Sequence, residues 1–169
     1  TDFKNFTTVS EQLSPQELVD ELHACFKGFD EICTKYNIEK IKTIGDAYMA
    51  VAGAPIPCDD HAERAALFAL EIKSIMEAYR LESGSDLEVR IGLHSGSAVA
   101  GVIGENKFAY DLWGDAVNTA SRMESHGEQN KIHVSEAFAI KLKDKPFHFE
   151  ERGMVEVKGK GSMKTYFLT

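Results

Sequence analysis

The sequence predicts an α+β domain, with helices packed on a mostly antiparallel sheet, and three observations carry that prediction. Helical and strand-like periodicities interleave along the chain. Two short strand-like runs meet at Gly45-Asp46, a hairpin signal. Leu87, Val89, Ile91 and Leu93 alternate strictly, which marks a strand with one buried face.

The elements follow in order. Thr1-Asp2-Phe3 reads as the middle of a strand, so the chain is expected to be one excised domain spanning 1–169, its first strand cut short. The loop KNFT comes next. Ser14-Pro15-Gln16-Glu17 is a capping box with proline at the first helical position. Leu18, Leu22, Phe26, Phe29 and Cys33 then recur at helical spacing up to Asn37, as one amphipathic helix or two nearly continuous ones. Residues 38–53 form the hairpin, and Pro55 and Pro57 break the chain.

A second helix places Ala62, Ala65, Ala66, Ala69, Ile72, Met76 and Tyr79 on one face. The cluster Cys58-Asp59-Asp60-His61 fits an acidic helix entry better than a metal site. After the alternating strand and a turn at Ser95-Gly96, a second apolar strand is predicted near 98–103. WGDAVNTASRMESHG reads as a helix entered at Gly114-Asp115 and ended near Gly127. A strand at 132–134, a helix started by Ser135 and strands near 147–157 and 164–168 complete the domain, without internal repeats.

Composition narrows the function classes. The 169 residues fit one domain, and no apolar run approaches the roughly 20 residues of a membrane helix. Against 27 acidic residues stand 19 basic ones, a net charge of −8, which argues against bulk nucleic-acid binding. A single nucleotide is still permitted, because a few placed cations hold one triphosphate. Cys25, Cys33 and Cys58 show no CxxC spacing and read as reduced structural thiols. A cytoplasmic domain with no membrane contact of its own is expected, with the anchoring of any parent protein left open.

Two carboxylates occupy positions suited to chemistry. Asp2 lies on a strand and Asp46 at a hairpin tip, where strand-end carboxylates converge on a hard cation such as Mg²⁺. Gly-Asp is also an ordinary turn pair. Asn118 and Arg122 stand four apart and share a helix face, with Asp111 just before that helix. An Asn to fix a sugar and an Arg to neutralise phosphate make a nucleotide-reading surface, though a solvated face has the same spacing. In VKGKGSMKTYF, Lys158, Lys160 and Lys164 surround two glycines, an arrangement suited to phosphate contact or to solubility. GSAVAG lacks the middle glycine of a dinucleotide loop, and GKGS lacks the Walker spacing.

Together TDFKNFT, KIKTIGDAYMAVAG, LHSGSAVAG, YDLWGDAVNTASRMES and VKGKGSMKTYF resemble the ordered motifs of class III adenylate and guanylate cyclases, over nearly the whole chain. The resemblance implies a ferredoxin-like cyclase fold acting as a homodimer with composite active sites. It implies two Mg²⁺ or Mn²⁺ ions held by Asp2, Asp46 and the Phe3 carbonyl. It further implies phosphate contact by the Phe6 and Thr7 amides and Lys158, base reading by Lys42 and Asp111, ribose positioning by Asn118 and transition-state stabilisation by Arg122. The family's DIxGFT loop usually has glycine where this chain has Asn5. Lys42 and Asp111 point to ATP, so adenylate cyclase activity is expected. Guanylate cyclase activity and a catalytically silent nucleotide-binding module are the rival readings.

Overall fold

The computed structural model describes residues 1–105 and 109–169. A five-stranded sheet runs in the order β1-β4-β7-β9-β8, where β1 is Asp2–Lys4, β4 Glu88–Leu93, β7 Ile132–Ser135, β8 Phe149–Val157 and β9 Gly161–Leu168. β4 and β7 run parallel; every other neighbouring pair in this sheet is antiparallel. Two further ribbons stand apart from it: β2 (Glu39–Ile44) with β3 (Ala47–Val51), and β5 (Val99–Ile103) with β6 (Ala109–Trp113). The helices are α1 (Phe6–Gln12), α2 (Pro15–Tyr36), α3 (His61–Ser83), α4 (Asp115–Ser125) and α5 (Glu136–Lys141). The expected α+β architecture is observed, and no described helix is long and apolar enough to cross a membrane.

α2 is one continuous helix. The Glu17 amide donates to Ser14 Oγ at 3.3 Å and the Ser14 amide to Glu17 Oε2 at 2.8 Å, the reciprocal pair that the sequence announced. Asn37, left-handed at φ 52°, ends it. α2, α3 and α5 contribute Phe29, Ile32, Ala66, Ala69, Ile72, Met76 and Phe138 to a core shared with Val89, Ile91, Ile132, Val134 and Leu168 of the sheet. Cys25 and Cys33 are buried free thiols, and burial pushes Cys25 up to about 11, which leaves it unreactive.

α1 is the element that the sequence did not announce, since KNFT reads as a loop. No side chain caps it, and its start depends on Asn5 at φ 62° and on Phe6 and Val9 packing against the core. Glycine adopts that positive φ freely, and Asn tolerates it better than most other residues. The apolar stretch near 98–103 also differs from expectation. It is a strand, but in a projecting ribbon that leaves Val99, Val102 and Ile103 at least 60% exposed.

α4 lies on the opposite face of the sheet, seated directly on β4. A Cβ at Gly92 would stand 2.0 Å from the Glu124 amide nitrogen and 2.5 Å from its Cα, both backbone atoms. Buried His133 on β7 secures the same helix through a 2.7 Å contact between Nδ1 and the Met123 carbonyl. Gly92→Ala is therefore expected to displace α4 and cost more than the about 1 kcal/mol of an average substitution. Thermal melts and turnover should fall together, and an unchanged melt would contradict this seating of the helix.

Candidate active site

A strand and a hairpin tip carry the paired carboxylates, and one aromatic cluster pins both elements. Phe3 of β1 stacks with Phe26 and Phe29 at centroid distances of 6.0 and 6.2 Å. Tyr48 of β3 meets the same two rings at 5.5 and 5.4 Å. Its hydroxyl donates to Asp30 at 2.6 Å, and its amide donates to the Thr1 carbonyl at 3.0 Å. Phe3 side-chain burial thus sets the backbone on which Asp2 sits, while Tyr48 fixes the hairpin whose tip carries Asp46.

Asp46 consequently stands beside Asp2. Burial, and then the Asp2 charge, push the Asp46 carboxyl above the usual carboxylate range, while amides including that of Phe3 donate to it. A hard divalent cation answers both causes, since it replaces lost hydration and separates two negative charges. The donors fit such an ion: two carboxylates suffice for Mg²⁺, which keeps waters and takes substrate phosphates. Among the described residues no group of three or more His, Cys, Asp or Glu side chains is placed to hold a metal, so these two carboxylates carry the case.

A second pair forms across 69 residues of sequence. Lys42 Nζ of β2 donates to Asp111 Oδ2 of β6 at 2.5 Å, joining the hairpin to the projecting ribbon. The Leu112 amide donates to the other carboxylate oxygen at 2.8 Å. Lys42, and then that amide, hold the Asp111 carboxyl below its usual range. Each partner retains capacity, because an ammonium has three donors and each carboxylate oxygen a further lone pair.

α4 presents the remaining residues. Asn118 and Lys42 line a cavity of about 320 Å³ walled by β2, β3 and α4, with Thr1, Gly92 and Ser121 at its edges. Arg122 lies one turn beyond Asn118, half-buried, and among the described residues no carboxylate is paired with it. The structure thus brings Lys42 to Asp111, Asp2 to Asp46, and Asn118 into the cavity with Lys42. Phe6 and Thr7 open α1, whose first amides have no intrahelical acceptor. Lys158 is exposed at the β8–β9 turn, whereas Lys160 of the same turn pairs with Asp115 at the start of α4.

Sequence reasoning missed three contributors. Arg90 and Glu124 form a largely buried bridge beside Asp2, and Gly92 admits α4. The alternation at 87–93 held a signal for two of them. With Leu87, Val89 and Ile91 on the core face, Arg90 and Gly92 must share the other, where an apolar core gives no reason for either.

Comparison with known proteins decides the family. The model of the family "Adenylate and Guanylate cyclase catalytic domain" matches residues 1–169. The chain belongs to this cyclase family. Among its cyclase relatives, the guanylate cyclase soluble subunit beta-2 of Rattus norvegicus is 43% identical over 99% of this chain. The adenylate cyclase of Mycobacterium tuberculosis (strain ATCC 25618 / H37Rv) is 42% identical over 99% of this chain. The chain spans 25% and 38% of those proteins, respectively. The guanylate cyclase domain of RhGC from Catenaria anguillulae, solved with GTP, superposes with a TM-score of 0.94 at 40% identity, covering 99% of this chain and 92% of that one. The catalytic core of a rhodopsin-guanylyl cyclase with converted specificity, solved with ATPαS, superposes at 0.93 with 41% identity, covering 99% and 91%. The cyclase fold expected from the motifs is therefore observed.

Proposed function

We propose that this chain is an adenylate cyclase domain that converts ATP into 3′,5′-cyclic AMP and pyrophosphate at composite sites of a homodimer. The observation that carries the ATP reading is the Lys42–Asp111 pair. Adenine offers an acceptor at N1 and a donor amine at N6, complementary to a lysine donor beside an aspartate acceptor. Guanine reverses both groups, and each mispaired polar group costs about 1–3 kcal/mol. Because the two side chains are already bonded to each other, the pair is preorganised for the purine edge.

The remaining residues take roles by position. Asn118 shares the cavity with Lys42 and orients the ribose. Arg122, one turn away, neutralises charge that develops at the α-phosphorus as the 3′-oxygen bonds to it and pyrophosphate departs. The first amides of α1 and Lys158 meet the polyphosphate. Asp2, Asp46 and the Phe3 carbonyl would hold two divalent cations, which would supply Lewis-acid activation of the 3′-hydroxyl and charge compensation at the leaving group. Positioning and charge stabilisation therefore dominate the chemistry assigned to the protein.

Dimerisation gives the exposed ribbon a purpose. Val99, Val102 and Ile103 of β5 and Ile44 at the hairpin tip are 60–69% exposed, an apolar edge suited to a second copy. One chain carries both residue sets, so two copies of the 1–169 domain would form two equivalent sites.

A GTP reading is favoured by the 43% identity to the rat guanylate cyclase subunit, but the mycobacterial adenylate cyclase matches almost as well. The test is direct: the purified domain is incubated with Mn²⁺ and ATP or GTP, and the cyclic product is identified. Cyclic AMP is expected to dominate, and Lys42→Glu with Asp111→Cys should abolish that preference. Predominant cyclic GMP from the wild type would overturn the assignment.

A further inference from the structure

Beside the Asp2–Asp46 pair stands a bridge that ties β4 to α4. Arg90 lies opposite Asp2 in the β1–β4 register, and its Nη2 donates to Asp2 Oδ2 at 3.2 Å. On its other side Nε donates to Glu124 Oε1 at 2.5 Å. The Arg90 and Glu124 side chains are only 11% and 16% exposed, so water screens this bridge far less than a surface pair. Glu124 cannot drift away, because its own backbone is the part of α4 that rests on Gly92. One guanidinium thus divides its charge between two carboxylates from different elements, with the longer contact to Asp2.

Resting on the reading of Asp2 and Asp46 as the metal pair, we infer that Glu124 is a positioning residue that sets their affinity for a divalent cation by competing with Asp2 for Arg90. A cation arriving at Asp2 meets a positive group already bonded to the same carboxylate. The pull of Glu124 holds that group back. Without its charge, Arg90 turns wholly to Asp2 and opposes the cation. Without the charge of Arg90, the repulsion between Asp2 and Asp46 is unrelieved and the cation is favoured. The two substitutions therefore act in opposite directions.

The test is calorimetric titration of Mn²⁺ into the nucleotide-free protein, with circular dichroism melts to check folding. Glu124→Gln should weaken Mn²⁺ binding by roughly threefold to tenfold, and Arg90→Gln should tighten it by a similar factor. Loss of the Glu124 charge also acts directly on the ion, so Glu124→Gln is repeated in the Arg90→Gln background. There its effect should shrink to a minor fraction, whereas a bare long-range charge would give equal factors in both backgrounds. Equal factors, or wild-type affinity in folded Glu124→Gln, overturn the inference. Wild-type Mn²⁺ titration by Asp46→Asn instead overturns the metal reading beneath it, so the two failures are distinguishable.

Discussion

Asp46→Asn should abolish Mn²⁺-dependent cyclisation while making the metal-free protein more stable. The loss follows from the proposed metal role, because the substitution removes one of the two carboxylates assigned to the ions. The gain follows from the raised Asp46 carboxyl, caused first by burial and then by Asp2. An acid whose folded pKa lies above its unfolded value binds its proton more tightly when folded. Its contribution is most favourable below the unfolded value near 3.9 and declines as pH rises through the folded one. At neutral pH ionised Asp46 therefore costs stability, and a neutral isostere removes that cost. Melts in EDTA should show a higher Tm for Asp46→Asn than for wild type. Adding Mn²⁺ should raise the wild-type Tm alone, because only an ion bound to the native state stabilises it. A lower Tm in EDTA would refute the account of the raised carboxyl, and retained turnover would refute the metal assignment.

Arg122→Ala should lower kcat by roughly 10²–10³ with a much smaller change in KM, the signature of an interaction made in the transition state. The expectation rests on a guanidinium without a carboxylate partner among the described residues, one turn from Asn118. An intact kcat with a raised KM would reassign Arg122 to substrate binding. The same variant tests the composite site. If sites are shared as proposed, mixing Asp46→Asn chains with the impaired Arg122→Ala chains leaves one intact site per heterodimer, so part of the activity should return. Absence of recovery, with heterodimers shown to form, would refute the sharing of sites between chains.

Most elements were legible in local signals. The α2 capping box, the Gly45-Asp46 turn, the alternation at 87–93 and the Ser135 cap all act within a few residues, so sequence neighbours decide them. α1 was not legible. Its first residue lacks a side-chain cap, and what starts the helix is the packing of partly buried Phe6 and Val9 against a core assembled from elsewhere. The ribbon at 99–103 was half legible. Its apolar residues mark a strand, but nothing local reveals that they face outward, because exposure depends on which strands are already paired.

The candidate site divides in the same way. By itself the sequence determined the family's motif order and the residue types: two aspartates, a lysine with an aspartate, and an Asn and Arg four apart on one helix. Helical spacing is a local property, so the Asn118–Arg122 face needed no tertiary information. Only the tertiary structure decided that Lys42 bonds Asp111 across 69 residues, that Asp46 is pressed against Asp2, and that Arg90 ties Asp2 to α4. These are contacts between elements, set by the seating of α4 on Gly92 and the hairpin on the Phe3–Tyr48 cluster. Backbone approach and ring packing leave no periodicity in a single chain, whereas caps, turns and alternation do.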